Sequence, residues 1–298
     1  MKTHQLRAFL AVFDHRSVRG AARALGLTQP AVTQAIKELE SFVGVQLFER
    51  GTTGVQPTIF GNALERRARV IYFEIERATN ELEQIRDGTK GVVSIAISTA
   101  AALPLLPPAF AHFRKSFPQV EVRLHEASIP TTLPKLLDGE VDFMVSQMLP
   151  GTLQEWDVRS LYSSSMIGAV RAGHPILQAR SIADYPTSEW LLPYDDANGP
   201  ELLKQLFSGG HVRPPSQIVR CTSTAMALRL VGSSDLLGVF VKTMVATEFP
   251  HYGLVELPLP EALAPLEVCV ITRKHAVLTP AAQNFLDCLQ FYADRIPG

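Results

Sequence analysis

The sequence predicts a mixed α/β protein: a small helical head with a hairpin, a long connecting helix, and a larger α/β body. Three observations predict it. Apolar residues between 6 and 39 recur at helical spacing, broken by capping residues. A heptad stripe runs unbroken from 64 to 85. Beyond 91, strand-like runs alternate with helix-like ones.

At 298 residues the chain is long enough for two or three domains, and 46% hydrophobic against 19% charged residues supplies sizeable cores. No apolar run has membrane-spanning length. The N-terminal stretch carries charges through its apolar positions and does not read as a signal peptide. Cys221, Cys269 and Cys288 are few and widely spaced, which suits reduced thiols and a cytoplasmic location. Net charge is −1, but it is unevenly spread. Residues 1–60 hold seven Lys/Arg against four Asp/Glu, and residues 91–298 hold fifteen against nineteen. A small basic head on a mildly acidic body fits nucleic-acid binding by the head alone.

The head is expected over residues 1–58. Leu6, Phe9, Leu10 and Phe13 make one buried stripe of a first helix. Ser17 is a good N-cap for a second, where Ala21, Ala22 and Leu25 face inward and the paired alanines let helices approach closely. Gly26 suits a positive-φ C-terminal position, after which Leu27 plugs the core. Thr28 caps a third helix, and Pro30 falls in its first turn, where a missing N–H costs nothing. Val32, Ile36 and Leu39 fall within about 60° on a helical wheel and form its buried face. Pro30, Gln34, Lys37 and Ser41 lie opposite, with Gln29 and Thr33 on the flank. That outer face is short, polar and nearly free of acids, so it can meet phosphates and base edges. An ordinary three-helix bundle with polar outer faces has the same spacing.

Gly44 ends the third helix. Residues 47–50, a glycine-bearing turn at 51–54 and residues 55–58 read as a β-hairpin wing, with Arg50 placed to reach backbone or minor groove. Thr58 caps a linker helix over 59–87. Leu64, Ala68, Ile71, Ile75, Ala78, Leu82 and Ile85 form its a/d seam over three heptads. At 1.5 Å per residue this helix is about 45 Å long. Its seam needs a cover, either a second copy of the chain or the chain's own body; a second copy is the economical choice.

Residues 88–91 mark the boundary to the body, 91–298. Strands are expected at 92–97, 120–125, 141–145, 166–171, 190–193, 218–221, 238–241 and 266–273. Helices are expected from 98 onward and at 132–138, 200–207, 224–231 and 280–291. This alternation predicts a three-layer α/β sandwich.

On the run Phe9…Ser17-Val18…Ala21-Ala22…Leu25…Thr28-Gln29-Pro30-Ala31-Val32-Thr33…Ile36…Leu39-Glu40…Gly44…Leu47-Phe48-Glu49-Arg50…Thr58…Gly61, the chain resembles the LysR-type transcriptional regulators of bacteria. Phe117-Pro118, Leu137–Asp142 and His174-Pro175 extend the resemblance over essentially the whole length. Val18 replaces the usual Phe and Thr33 the usual Ser, changes that leave DNA binding intact. The resemblance implies a winged helix–turn–helix and a dimerising linker helix. It also implies an effector domain like type 2 periplasmic binding proteins, with subdomain I over 91–161 and 267–298 and subdomain II over 162–266. Two crossover strands would join the subdomains. It further implies a dimer of dimers on double-stranded promoter DNA, with RNA polymerase as a further contact.

The readers expected in the head are Thr28, Gln29, Pro30, Thr33, Gln34, Lys37 and Arg50. In open α/β sheets the ligand crevice lies at the carboxyl ends of strands. Ser98, Thr99 and Ala100 occupy such a position, as do Ser128, Ile129, Ser146, Gln147, Asn198, Gly199, Pro200, Thr222 and Ser223. Free N–H groups at a helix start can hold a carboxylate or sulfonate without a cationic side chain, so a small organic anion is the expected effector. Plain helix capping explains any one of these residues equally well. No nucleophile elbow, P-loop, zincin or dinucleotide fingerprint occurs; no catalysis, metal or cofactor is expected. A thiol-redox regulator centred on Cys221 and a solute-binding protein without a DNA role are the rival readings.

Overall fold

The computed structural model describes residues 1–51, 54–87, 90–148, 155–178, 189–192, 204, 215, 217–257 and 263–296, and of Arg50, Asp87 and Met148 the backbone alone. The expected helix at 200–207, save Lys204, and the site residues Asn198, Gly199 and Pro200 lie outside the described residues. Among the described residues no helix is long and apolar enough to cross a membrane.

In the head, α1 (Thr3–His15), α2 (Val18–Leu25) and α3 (Gln29–Val43) enclose Leu6, Phe9, Val12, Ala21, Val32 and Leu39, all buried. The caps are local. Ser17 Oγ accepts from the Gly20 N–H, and Thr28 Oγ1 accepts from the Ala31 N–H at the start of α3. Gly26 takes φ +65° and Gly44 φ +74°, the left-handed turns that close α2 and α3. Leu27 corrects the sequence reading. Its N–H closes the turn on the Ala22 carbonyl at 2.9 Å, but its side chain is 52% exposed and plugs nothing.

The wing is β1 (Phe48–Gly51) paired antiparallel with β2 (Gly54–Pro57). Glu40 fastens it to α3 by accepting from the backbone N–H groups of Leu47 and Phe48, at 2.8 and 3.3 Å. Thr58 Oγ1 accepts from the Gly61 N–H and so caps α4 (Ile59–Asp87). A Cβ at Gly61 would stand 2.2 Å from the Leu47 carbonyl oxygen, a backbone atom that cannot yield alone. Gly61→Ala should therefore destabilise the head by about 1–3 kcal/mol or more, lowering its thermal midpoint by on the order of 10 °C; circular dichroism of the melting chain measures this.

The α4 seam divides in two. Ala68 is fully buried and Leu64 partly so, both in the head core beneath α1. The assignment of Ala68 to a dimer seam is corrected: helical periodicity marks an apolar face but not its cover. Beyond them Ile71 and Ile75 are each 37% exposed, and Leu82 and Ile85 68% and 69%. Ala78 is exposed between them.

Among the described residues the body holds two five-stranded sheets, ordered β4-β3-β5-β12-β6 and β11-β7-β10-β8-β9. In the first, β3 (Val92–Ile97) pairs parallel with β4 (Glu121–Glu126) and β5 (Phe143–Met148). Antiparallel β12 (Leu266–Arg273) then pairs with β5 and with β6 (Trp156–Ser164). α5 (Thr99–Ser116) and α10 (Pro280–Ala293) cover one face, where Phe113 and Phe285 stack at 4.6 Å; α6 (Ile129–Asp138) covers the other. The second sheet comprises β7 (Met166–Arg171), β8 (Glu189–Leu192), β9 (Gln217–Arg220), β10 (Leu237–Val241) and β11 (Leu254–Glu256). It shares a core with α7 (Thr224–Ser233) and the short helices α8 (Met244–Thr247) and α9 (Phe249–Tyr252).

Two expectations shift. Val141 and Asp142 precede β5 rather than begin it, because Gly139, at φ +88°, ends α6 and the turn after it is engaged by α4. The first crossover falls at Ser165 rather than between 161 and 162: Ser164 still pairs with Leu266, and Met166 opens the second sheet.

α4 is clamped to the first half of the body. Arg77 donates to the Gly139 carbonyl at 3.0 Å and faces Asp142 at 3.3 Å. The other Asp142 oxygen accepts from the buried Ser94 N–H at 2.8 Å. Near the end of α4, Gln84 accepts from the Ala281 N–H at 2.9 Å, at the start of α10.

Candidate nucleic-acid interface and effector cleft

α3 stands on its buried face, so its opposite face is presented outward. Gln29, Pro30, Gln34, Lys37 and Ser41 are exposed, and Thr33 is half-buried on the flank. Thr28 is committed to the cap. The backbone of Arg50 lies in β1 opposite Val55. A depression of about 490 Å³ runs along this face, lined by Met1, Lys2, Gln5, Gln34, Lys37, Glu38, Ser41 and Phe42.

Six of these lining residues, Met1, Lys2, Gln5, Glu38, Ser41 and Phe42, were not among the expected readers. Lys2 and Gln5 come from α1 and its N-cap, and Glu38 puts an acid beside a face expected to be nearly free of them. Gln34 Nε2 donates to Glu38 Oε1 at 3.0 Å, and Gln5 Nε2 donates to Glu38 Oε2 at 3.0 Å. The Gln34 and Gln5 amides hold the Glu38 carboxyl below its ordinary pKa, helped by the nearby charges of Lys2 and His4. A signal existed in the sequence: Gln5 is a polar residue beside Leu6 on the inner side of the first helix, and it is 5% exposed.

In the body, the expected residues separate into two kinds. Ser98 and Ser128 occupy the N-cap positions of α5 and α6, yet neither side chain caps its helix. The Ser98 hydroxyl donates instead to Gln147 Oε1 at 3.0 Å, and Thr132 Oγ1 accepts from the Ser128 N–H at 3.1 Å. The first-turn N–H groups of α5, at Thr99 and Ala100, and of α6, at Ile129, therefore have no capping side chain. Ala100 also packs against the core of the second sheet, which puts the start of α5 where the two halves of the body meet. Ser223, by contrast, caps α7 by accepting from the Met226 N–H, with exposed Thr222 beside it. Ser146 is buried, and strand alternation turns it toward the face opposite to Gln147. The Thr99 hydroxyl donates to Glu126 at 2.6 Å, so a carboxylate already stands beside the start of α5.

The three thiols are free. Burial, with Glu267 nearby, pushes the Cys269 thiol up to about 11, and burial likewise raises Cys288. No cluster of His, Cys, Asp and Glu among the described residues could hold a metal ion.

Residues 3–62 match the family model "Bacterial regulatory helix-turn-helix protein, lysR family", and residues 86–293 match "LysR substrate binding domain". The HTH-type transcriptional regulator GbpR of Azospirillum brasilense is 26% identical over 99% of this chain and 87% of its own. The HTH-type transcriptional regulator TdcA of Escherichia coli is 26% identical over 98% and 93%. The crystal structure of CbnR, a LysR family transcriptional regulator, superposes with a TM-score of 0.69 at 22% identity, covering 98% of this chain and 99% of that one. CbnR complexed with its target DNA superposes with the same TM-score at 21% identity, covering 98% and 100%.

Proposed function

Because this chain belongs to the LysR family of bacterial transcriptional regulators, we propose that it reads promoter DNA through the outer face of α3 and the wing, as a pair of heads joined along α4, under control of a small organic anion. Its class as a DNA-binding regulator with a substrate-binding domain is that of its family. The observation that carries the finer reading is the exposed polar face of α3, Gln29 to Ser41, standing on a closed head core.

In this reading Lys37 meets phosphate, and Gln29, Pro30, Thr33 and Gln34 face base edges, with Thr28 holding the helix start and Arg50 on the wing reaching the flanking backbone. Solved CbnR bound to its target DNA supports the use of this fold on duplexes. Lys37→Ala should weaken all sequences alike and reduce the salt slope by about one phosphate's worth. Gln29→Ala should instead cost about 1–3 kcal/mol at particular base pairs. Gel shifts across a salt series separate the two, and an unchanged slope with Lys37→Ala removes it from the interface.

The bare stripe Ile71, Ile75, Ala78, Leu82 and Ile85 supports a homodimer through α4, and two dimers side by side would give a homotetramer. For the effector, the uncapped starts of α5 and α6 supply N–H groups suited to a carboxylate or sulfonate. Ser98, Thr99, Ser128 and Gln147 are the side chains best placed around it, and Glu126, bonded to Thr99, would repel further negative charge on that side. Titration calorimetry against a panel of organic acids tests this; no binding by any of them contradicts it. Regulation then follows as a population shift between placements of the two heads, limited by the effector's differential affinity. Thiol sensing through Cys269 or Cys288 is disfavoured by their raised pKa, since the thiolate is the reactive form.

A further inference from the structure

We propose that Glu38, braced by the buried Gln5, fixes the side-chain amide of Gln34 so that Gln34 accepts adenine and rejects guanine at the base pair it faces. The inference rests on the reading that the outer face of α3 meets base edges, here those of the major groove.

The orientation follows from a chain of donors and acceptors that has one consistent solution. The backbone N–H of Lys2 can only donate, so the Gln5 atom facing it at 2.8 Å is the carbonyl oxygen. The other end of the same amide is then the NH2 group, which points at Glu38 Oε2 from 3.0 Å. Gln5 is 5% exposed, so it has little room to turn over. An ionised carboxylate only accepts. Its second oxygen, Oε1, must therefore meet the NH2 of Gln34 at 3.0 Å, since the Gln34 carbonyl would be repelled there. The hydrogen bonds that lower the Glu38 pKa keep it in that accepting form.

One N–H of Gln34 is thus used inward. What remains for the groove is one N–H and one carbonyl oxygen. The major-groove edge of adenine offers an acceptor, N7, beside a donor, the N6 amine, which matches that pair. Guanine offers two acceptors, N7 and O6, and needs two donors where one is left. Without Glu38 the amide could turn either way and the distinction would fade. Glu38 is thus a positioning residue that touches no base.

The test uses the full chain and duplexes selected from a randomised pool. Fluorescence anisotropy first finds the base pair whose preference Gln34→Ala erases. At that pair, wild type should lose on the order of tenfold in affinity when adenine is replaced by guanine. Glu38→Gln, whose amide can donate or accept, should shrink this to about twofold or less. Affinity for unrelated duplexes should hold or rise, since a negative charge is gone, and the thermal midpoint should be unchanged. Gln5→Met, which keeps the volume but not the donor, should shrink the discrimination in the same direction. Full discrimination in Glu38→Gln, or guanine as the favoured base in wild type, overturns the proposal and leaves the groove reading intact. If Gln34→Ala erases no preference at any position, the reading of α3 fails instead, and the proposal falls with it.

Discussion

A chain carrying Ile75→Glu and Leu82→Glu is expected to sediment as a monomer and to lose specific DNA binding by two or more orders of magnitude. Both positions lie on the bare half of the α4 seam, at 37% and 68% exposure. In the lone chain the substitutions bury nothing new, and glutamate is a good helix former, so the head and body should remain folded. In a two-fold dimer each new carboxylate would enter an apolar seam, facing apolar side chains or its own copy. Separating the heads removes the second binding event, whose effective concentration is worth about 10²–10⁴ in affinity. Analytical ultracentrifugation and gel shift on the same samples check it. Monomers that still bind tightly would show that pairing through α4 is not needed.

Arg77→Ala should be strongly destabilising, loosening α4 from the body. Arg77 joins α4 to the turn 139–142 through two backbone carbonyls and Asp142. Removing it leaves Asp142 buried with the Ser94 N–H as its remaining hydrogen-bond donor among the described residues. Breaking one side of such a pair costs about 3–5 kcal/mol, on the order of 10 °C in thermal midpoint. The sign of the pH dependence follows from Asp142. Burial already raises its pKa, and Arg77 pulls it back. Without Arg77 the folded-state value climbs further, so folding favours the protonated acid more strongly. The deficit should be small near about pH 4, where the carboxyl can stay protonated, and should grow as pH rises through the folded value. Thermal melts across that range measure it; a deficit that shrinks with rising pH would contradict the assignment.

What the sequence discloses of this molecule is what depends on neighbours along the chain. Ser17, Thr28, Thr58, Gly26 and Gly44 announce the head's helix ends because capping is a local transaction of hydrogen bonds. Strands β3, β7 and β12 stand at the expected residues because each is a nearly continuous apolar run. Strand β6 was not foreseen: Trp156–Ser164 is mostly exposed, and its alternation carries no clear apolar face. Helix α5 continues through Pro104, Pro107 and Pro108 to Ser116, against their local preference, held by buried Leu105, Ala109 and Phe113.

The site follows the same division. Periodicity placed Gln34 and Lys37 on the outer face of α3, but not Glu38's contact with Gln5, thirty-three residues away in the chain. Nor could it separate serines that cap from serines that do not. Ser98 and Ser223 read alike in sequence. Only the fold gives the first to Gln147 and the second to the Met226 N–H.

Two like heads are proposed to read DNA together. Binding-site selection from a randomised duplex pool, with native mass spectrometry of the selected complex, tests it most directly. An enriched site with two half-sites related by a two-fold axis is expected, held by two or four copies of the chain. A single asymmetric site occupied by one copy, or no enrichment at all, would contradict it.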